Sequence, residues 1–178
     1  MNVARNIAQQ LEEHISHNAL AGRELKSLAK SIGYRLSIFK PLKKLRLTNE
    51  LVFVNSFLGS VALRLSSQQY PLISENETEE MVEQYVSKLL SRWLAPSMHR
   101  EYEDRLEIWK GLFEDLSDDV RYQRHLRIFT DIFYVGLTEK ALDKHSELML
   151  TARFNGYMKL YLQSVALLMD QHYSKCNG

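Results

Sequence analysis

The chain has 178 residues, of which 45% are hydrophobic and 25% are charged, and it contains only 7 glycines and 3 prolines. This composition excludes a disordered chain, a collagen-like repeat and a proline-rich linker, and the length suits one compact domain with a substantial core. The net charge is only +1 at pH 7, but this total hides a strong sorting of charge along the chain.

The start of the chain has no apolar signal-peptide core, and its most apolar window is interrupted by Asn55, Ser56, Gly59 and Ser60. We therefore expect a soluble, cytoplasmic protein that does not cross or bind a membrane. The single cysteine, Cys176, can form neither an internal disulfide nor a cysteine-based zinc site.

Two amphipathic helices are predicted at the start of the chain. The first extends from Val3 to Leu20, where apolar residues recur every four positions and Gly22 provides a stop. The second is short, from Glu24 to Ile32, and Gly33 can adopt the left-handed conformation that ends a helix.

Residues 47–65 carry apolar side chains at alternating steps of four and three, which is typical of a helix. The other faces of this segment are also apolar, so we expect a buried central helix. The alternative is a β-hairpin in which residues 51–54 and 61–65 pair around Gly59, since β-branched and aromatic residues are frequent here.

Four further helices are predicted after Pro71. Ser74 and Glu77 form a capping box for the first, which Pro96 ends. We expect Ser97 and Ser117 to cap the next two. The remaining expected boundaries are the end of the third helix at Gly136, the start of the last at Thr138, and a break near Asn155 and Gly156.

The predicted fold class is therefore all-α, a multi-helix globular bundle. We expect an N-terminal helical module over residues 1–66 and a helical body over residues 67–178, packed together as one unit.

Charge is unevenly distributed between two segments. Residues 23–47 contain eight lysines or arginines and one acid, Glu24, whereas residues 75–119 contain thirteen acids and five bases. This asymmetry is typical of a polyanion-binding surface combined with an acidic surface for a partner. The alternative is that the two segments attract each other within the fold.

Six small or apolar residues of the basic segment follow a characteristic spacing of 0, +3, +4, +5, +10 and +13: Ala29, Ile32, Gly33, Tyr34, Phe39 and Leu42. This spacing resembles the helix-turn-helix motif of DNA-binding proteins, and the resemblance covers about twenty residues. It implies a recognition helix that starts near Arg35.

The resemblance also implies which side chains contact DNA. Arg35, Ser37 and Lys40 would face base edges. The phosphate contacts would come from five bases, two on the first helix of the motif and three on the second: Lys26, Lys30, Lys43, Lys44 and Arg46.

Pro41 favours a different arrangement. Inside a recognition helix it would remove a backbone hydrogen bond and cost about 3 kcal/mol. At the first position of a helix proline is well tolerated. The alternative is therefore one long helix from Pro41 through Leu65, with Lys40 as its N-cap and residues 34–39 as a connector.

No catalytic motif is present, since the chain has neither a nucleophile elbow nor a glycine-rich phosphate loop. His14 and His17 lie near Glu12 and Glu13, but such a pair is more typical of a polar helix surface than of a metal site. We expect a non-enzyme without cofactor or metal.

The function predicted from the sequence is that of a small DNA-binding regulator of transcription. It would use the N-terminal helix-turn-helix to bind duplex DNA and would act as a homodimer. The alternative is an all-α adaptor that binds a protein partner through its acidic middle helices.

Overall fold

The computed structural model describes residues 3–36, 41–110 and 119–173, and these residues form helices without any strand. The predicted all-α class is confirmed. The α-helices are α1 (Val3–Asn18), α2 (Gly22–Ser31), α3 (Pro41–Ser67), α4 (Glu75–Trp93), α5 (His99–Lys110), α6 (Asp119–Thr138) and α7 (Lys144–Tyr173).

The centre of the bundle is α3, in which every residue from Asn49 to Leu63 is buried. It packs against α4 on one side and α7 on another, while α1 covers α4. The hairpin alternative is wrong, because residues 51–65 lie entirely within this helix. A helix satisfies its own backbone hydrogen bonds, so it can be surrounded by apolar side chains on every face.

Several polar side chains in the middle of α3 are buried without loss of hydrogen bonding. The Asn55 Nδ2 donates to the Leu51 carbonyl at 2.6 Å, and the Ser60 Oγ donates to the Ser56 carbonyl at 2.7 Å. From the neighbouring helices, the Tyr85 hydroxyl donates to the Asn55 carbonyl at 2.8 Å and the Tyr161 hydroxyl donates to Asn55 Oδ1. Asn55 therefore joins α3 to α4 and α7.

The predicted capping box is confirmed. The Glu77 backbone N–H donates to Ser74 Oγ at 3.2 Å, and the Ser74 backbone N–H donates to Glu77 Oε2 at 2.9 Å. These bonds lower the pKa of the Glu77 carboxyl, because they favour its ionised form.

Other predicted helix boundaries are wrong. Ser97 lies inside a 3₁₀ turn that leads directly into α5, whereas an N-cap needs the extended backbone that Ala95 adopts. Gly136 lies within α6, which ends at Thr138 with Glu139 in the left-handed region at φ 59°. The cap of α7 is Asp143, whose Oδ1 accepts the Ser146 backbone N–H at 2.9 Å.

The expected break near Asn155 and Gly156 is absent, and α7 is continuous there. Gly156 is exposed while Phe154 and Tyr157 are buried, so packing outweighs the cost of about 1 kcal/mol for a helical glycine. At the other end of the chain, Gly22 does not stop α1, which already ends at Asn18, but begins α2. The predicted cap Ser117 lies outside the described residues.

None of the described helices is both long enough and apolar enough to cross a membrane.

Candidate functional site

The outer face of α2 is basic. Arg23, Lys26 and Lys30 are exposed on one side of the helix, whereas Leu25 and Leu28 are buried beneath it. Positions 23, 26 and 30 lie on the same face, because steps of three and four residues return to one side of a helix. The sequence comparison with the helix-turn-helix motif assigned Lys26 and Lys30 to this face but missed Arg23.

This helix is held in place by the last helix of the chain. The Arg153 guanidinium pairs with the Glu24 carboxylate, and the Tyr157 hydroxyl donates to the same carboxylate at 2.8 Å. Burial raises the pKa of the Tyr157 phenol, and the Glu24 carboxylate raises it further. The only acid of the basic segment is therefore used to fix α2 against α7.

Gly33 adopts the predicted left-handed conformation after α2, with φ 66°. The Tyr34 backbone N–H donates to the Ala29 carbonyl at 2.8 Å and closes the end of the helix. Residues 34–36 are not helical, so a recognition helix does not start at Arg35, which is an exposed residue of the connection. Ser37 and Lys40 lie outside the described residues.

The next helix begins at Pro41, as the alternative interpretation predicted. Proline is compatible with the first position of a helix because its missing N–H has no partner there in any case. The first turns of α3 project from the bundle, since Leu42 is 77% exposed and Leu45 is 54% exposed. Lys44 and Arg46 are also exposed.

A cleft of about 450 Å³ lies where the end of α2, the start of α3 and the connection from α6 to α7 meet. The Arg46 Nε donates to the Gly136 carbonyl at 2.8 Å, and its Nη1 pairs with Glu139 Oε1 at 2.7 Å. The Lys43 ammonium lies 5.2 Å from the centre of the Tyr34 ring. These contacts fix two of the basic side chains along the cleft.

The Tyr34 hydroxyl also belongs to this cleft and donates to the Lys43 carbonyl at 3.3 Å. Burial raises the pKa of this phenol, Arg46 lowers it, and Glu50 raises it. Tyr34 is therefore a neutral hydrogen-bond donor at physiological pH.

We refer to Arg23, Lys26, Lys30, Arg35, Lys43 and Lys44 as the basic surface. Arg46 pairs with Glu139, whereas Glu79 of α4 pairs with Arg64 and Glu101 of α5 pairs with Arg105. These three ion pairs do not link residues 23–47 to residues 75–119.

Of the histidine pair on α1, His17 is exposed and His14 is partly buried. His14 lies within 3.3 Å of the Asn18 amide nitrogen. No group of three or more His, Cys, Asp or Glu side chains suited to a metal ion occurs among the residues that the structure describes.

Comparison with protein-family models, curated proteins and solved structures finds no match to this chain. Function is therefore inferred from the geometry described above. That geometry adds three features that sequence reasoning missed: Arg23 on the face of α2, Lys140 beside the cleft, and the exposure of Leu42 and Leu45. Helical periodicity could have placed Arg23 on the same face as Lys26 and Lys30. No local pattern could have placed Lys140 beside the cleft, because it comes from a distant part of the chain.

Proposed function

We propose that the basic surface binds duplex DNA and that the protein is a small non-enzymatic regulator of transcription. The observation that supports this most is the exposure of the α2 bases and Lys44 with no acidic partner in the described part of the chain. Unpaired cations on one surface attract the phosphate backbone and release its counterions.

The proposed docking differs from the one expected of the motif. The projecting start of α3 enters the major groove, where the first residues of a recognition helix contact base edges. The outer face of α2 follows the phosphates beside it. Arg23 and Lys30 are seven residues apart, about 10 Å along the helix, which is close to the rise of three nucleotides in one strand, about 3.4 Å each.

Arg46 has a different role in this proposal. Its guanidinium is already bonded to the Gly136 carbonyl and to Glu139. It holds the start of α3 against the end of α6, so that Lys43 and Lys44 are presented on a fixed helix.

The test is the salt dependence of binding to a pool of labelled duplexes, measured by fluorescence anisotropy. We expect log K to fall with log salt by about 0.9 for each phosphate neutralised. The double change Lys26→Glu with Lys30→Glu should weaken binding strongly and make the slope shallower by about 1.8. Both side chains are exposed, so the fold should be retained.

The matched control reverses two exposed bases elsewhere, Arg124 on α6 and Lys159 on α7. Arg124→Glu with Lys159→Glu changes the net charge by the same amount and should leave the affinity nearly unchanged. Equal weakening by both pairs would show attraction to overall charge only. Absence of binding to any duplex at low salt would refute the proposal.

A second candidate function is protein binding through α5. Its outer face exposes Glu103, Asp104 and Glu107 around Ile108, which is 57% exposed. An apolar side chain ringed by charges is typical of a protein contact. If this surface recruits a partner, Ile108→Glu should abolish co-purification of that partner and leave duplex binding intact. Lys26→Glu with Lys30→Glu should weaken duplex binding and leave co-purification of the partner intact.

A further inference from the structure

The cleft between α2, α3 and the connection from α6 to α7 has the properties of a small-ligand site. Its volume of about 450 Å³ lies within the range of small-molecule sites, roughly 300–1,000 Å³. Its walls come from segments far apart in the chain, with Ile32 to Arg35 on one side and Leu137 to Lys140 on the other. A ligand there would contact both halves of the chain at once.

The charges around the cleft favour an anion. Arg35, Lys43, Arg46 and Lys140 line it, and Glu139 is the one acid among the lining residues that the structure describes. That carboxylate is already paired with Arg46 at 2.7 Å. The cations therefore outnumber the acid, and a phosphate or carboxylate group is the complementary ligand.

The geometry of the Arg46 side chain is fixed before any ligand arrives. Its Nε bond to the Gly136 carbonyl anchors the guanidinium from one side, and Glu139 anchors it from another. Glu139 adopts φ 59°, a backbone conformation that is strained for a non-glycine residue. These bonds fix the wall of the cleft between Lys43 and Lys140, and a prearranged wall loses less entropy when a ligand binds.

Apart from Thr138, the uncharged side chains of the lining are aliphatic or aromatic. Leu42 and Leu137 contribute aliphatic surface, and Tyr34 and Tyr134 contribute rings. An inorganic ion would leave this surface uncovered. The complementary ligand carries an apolar or aromatic group in addition to its negative charge.

We propose that this cleft binds a small organic phosphate of the size of a nucleoside monophosphate. The phosphate contacts Lys43, Lys140 and Arg35, and the planar group lies against the aliphatic and tyrosine side chains. This ligand is additional to DNA. Because Lys43 and Arg35 belong to both sites, the ligand should compete with DNA. Only this competition rests on the function proposed above.

The experiment uses three probes in isothermal titration calorimetry: AMP, adenosine and inorganic phosphate. We expect AMP to bind at least about tenfold more tightly than either of the other two, since only AMP satisfies both parts of the cleft. Lys140→Glu should weaken AMP binding by about tenfold or more and leave duplex binding nearly unchanged.

The matched control is Lys144→Glu, an exposed base four residues away that does not line the cleft. It should bind AMP like the unaltered protein, and circular dichroism should show equal helicity for both variants. Equal loss in the two variants overturns the proposal, as does absence of AMP binding at millimolar concentration. Inorganic phosphate binding as tightly as AMP overturns the ligand class.

The two proposals fail separately. AMP binding without any duplex binding supports the cleft and refutes the DNA proposal. Duplex binding without AMP binding supports the DNA proposal and refutes the cleft proposal. If both ligands bind, AMP should displace the duplex, and simultaneous binding without competition would refute the shared use of Lys43 and Arg35.

Discussion

Gly59 lies in the middle of α3, directly beneath the side chain of Tyr85. A Cβ atom at position 59 would overlap the Tyr85 hydroxyl oxygen and would lie 2.5 Å from two carbons of the ring. The ring itself is fully buried, and its hydroxyl is bonded to the Asn55 carbonyl. Glycine is therefore needed here for close approach of α3 and α4 rather than for a turn.

A pair of glycine substitutions tests this contact. Gly59→Ala should lower the free energy of unfolding by about 1–3 kcal/mol, because the core must shift to admit the methyl group. Gly156→Ala is the matched control, since a Cβ there meets no atom within 4 Å, and it should raise the free energy of unfolding by about 0.5–1 kcal/mol. Urea denaturation measures both. A Gly59→Ala variant with the same free energy of unfolding as the unaltered protein would contradict the close contact between Gly59 and Tyr85.

Asp143 predicts part of the response to acid. Bonds from the Ser146 backbone N–H and hydroxyl lower the pKa of this carboxyl to about 2. A pKa below the ordinary value means that its stabilising effect is present above about pH 4 and is lost as the pH falls toward 2. Asp143→Asn keeps a capping side chain that does not titrate.

We therefore expect Asp143→Asn to lower the Tm near neutral pH, where the carboxylate is ionised, and to lose less Tm than the unaltered protein between pH 4 and pH 2. Calorimetry across this range measures the effect. Identical acid profiles for the two proteins would show that the Asp143 carboxylate does not contribute.

At the scale of elements, α3, α5 and α6 meet at one buried ion pair. The Arg105 guanidinium pairs with the Glu50 carboxylate, of which only 4% of the side chain is exposed, and with Glu101 at 2.6 Å. Burial raises the pKa of Glu50 and Arg105 lowers it. A Cβ at Gly136 would lie 3.0 Å from the Arg105 guanidinium, so the backbone of α6 closes the site.

Breaking this pair should be costly, and Arg105→Met should cost the most, because it leaves the Glu50 carboxylate buried without its partner. We expect Arg105→Met to lower the free energy of unfolding by about 3 kcal/mol. Glu50→Gln should lower it by less, because Arg105 keeps its pair with Glu101. The double variant should recover part of the loss, and a double-mutant cycle in urea measures this coupling. Additive losses would show that the two side chains act independently.

At the scale of the whole molecule, α7 exposes two leucines on its outer face. Leu160 and Leu167 are seven residues apart on one face and are 37% and 59% exposed. Exposed leucines on one helix face are typical of a two-fold interface. We expect a homodimer in light scattering, and a monomer after Leu160→Glu with Leu167→Glu. A monomer at every concentration of the unaltered protein would contradict this.

Charge is also separated over the length of the molecule. The 27 residues of α3 span about 40 Å at 1.5 Å per residue. Two bases of the basic surface, Lys43 and Lys44, lie at the start of this helix. Its end meets the acidic first turns of α4, where Arg64 pairs with Glu79 at 2.8 Å. A protein bound to these acidic turns would therefore lie far from Lys43 and Lys44.

Much of the helical architecture follows from local sequence. Apolar periodicity predicted the helices around residues 3–20, 24–32 and 47–65, and the Ser74 and Glu77 pattern predicted a cap that the structure contains. These features depend on contacts within about one turn of the chain, so neighbouring residues determine them. The identity of Pro41 likewise determined where α3 begins.

Only the tertiary structure decided which residues come together at the candidate sites. Arg46 reaches a carbonyl 90 positions away at Gly136, and Arg105 reaches Glu50 across 55 positions. Lys140 joins Arg35 and Lys43 around one cleft for the same reason. Periodicity shows which face of a helix is buried but not which helix covers it, because that choice depends on how distant side chains fill a shared core.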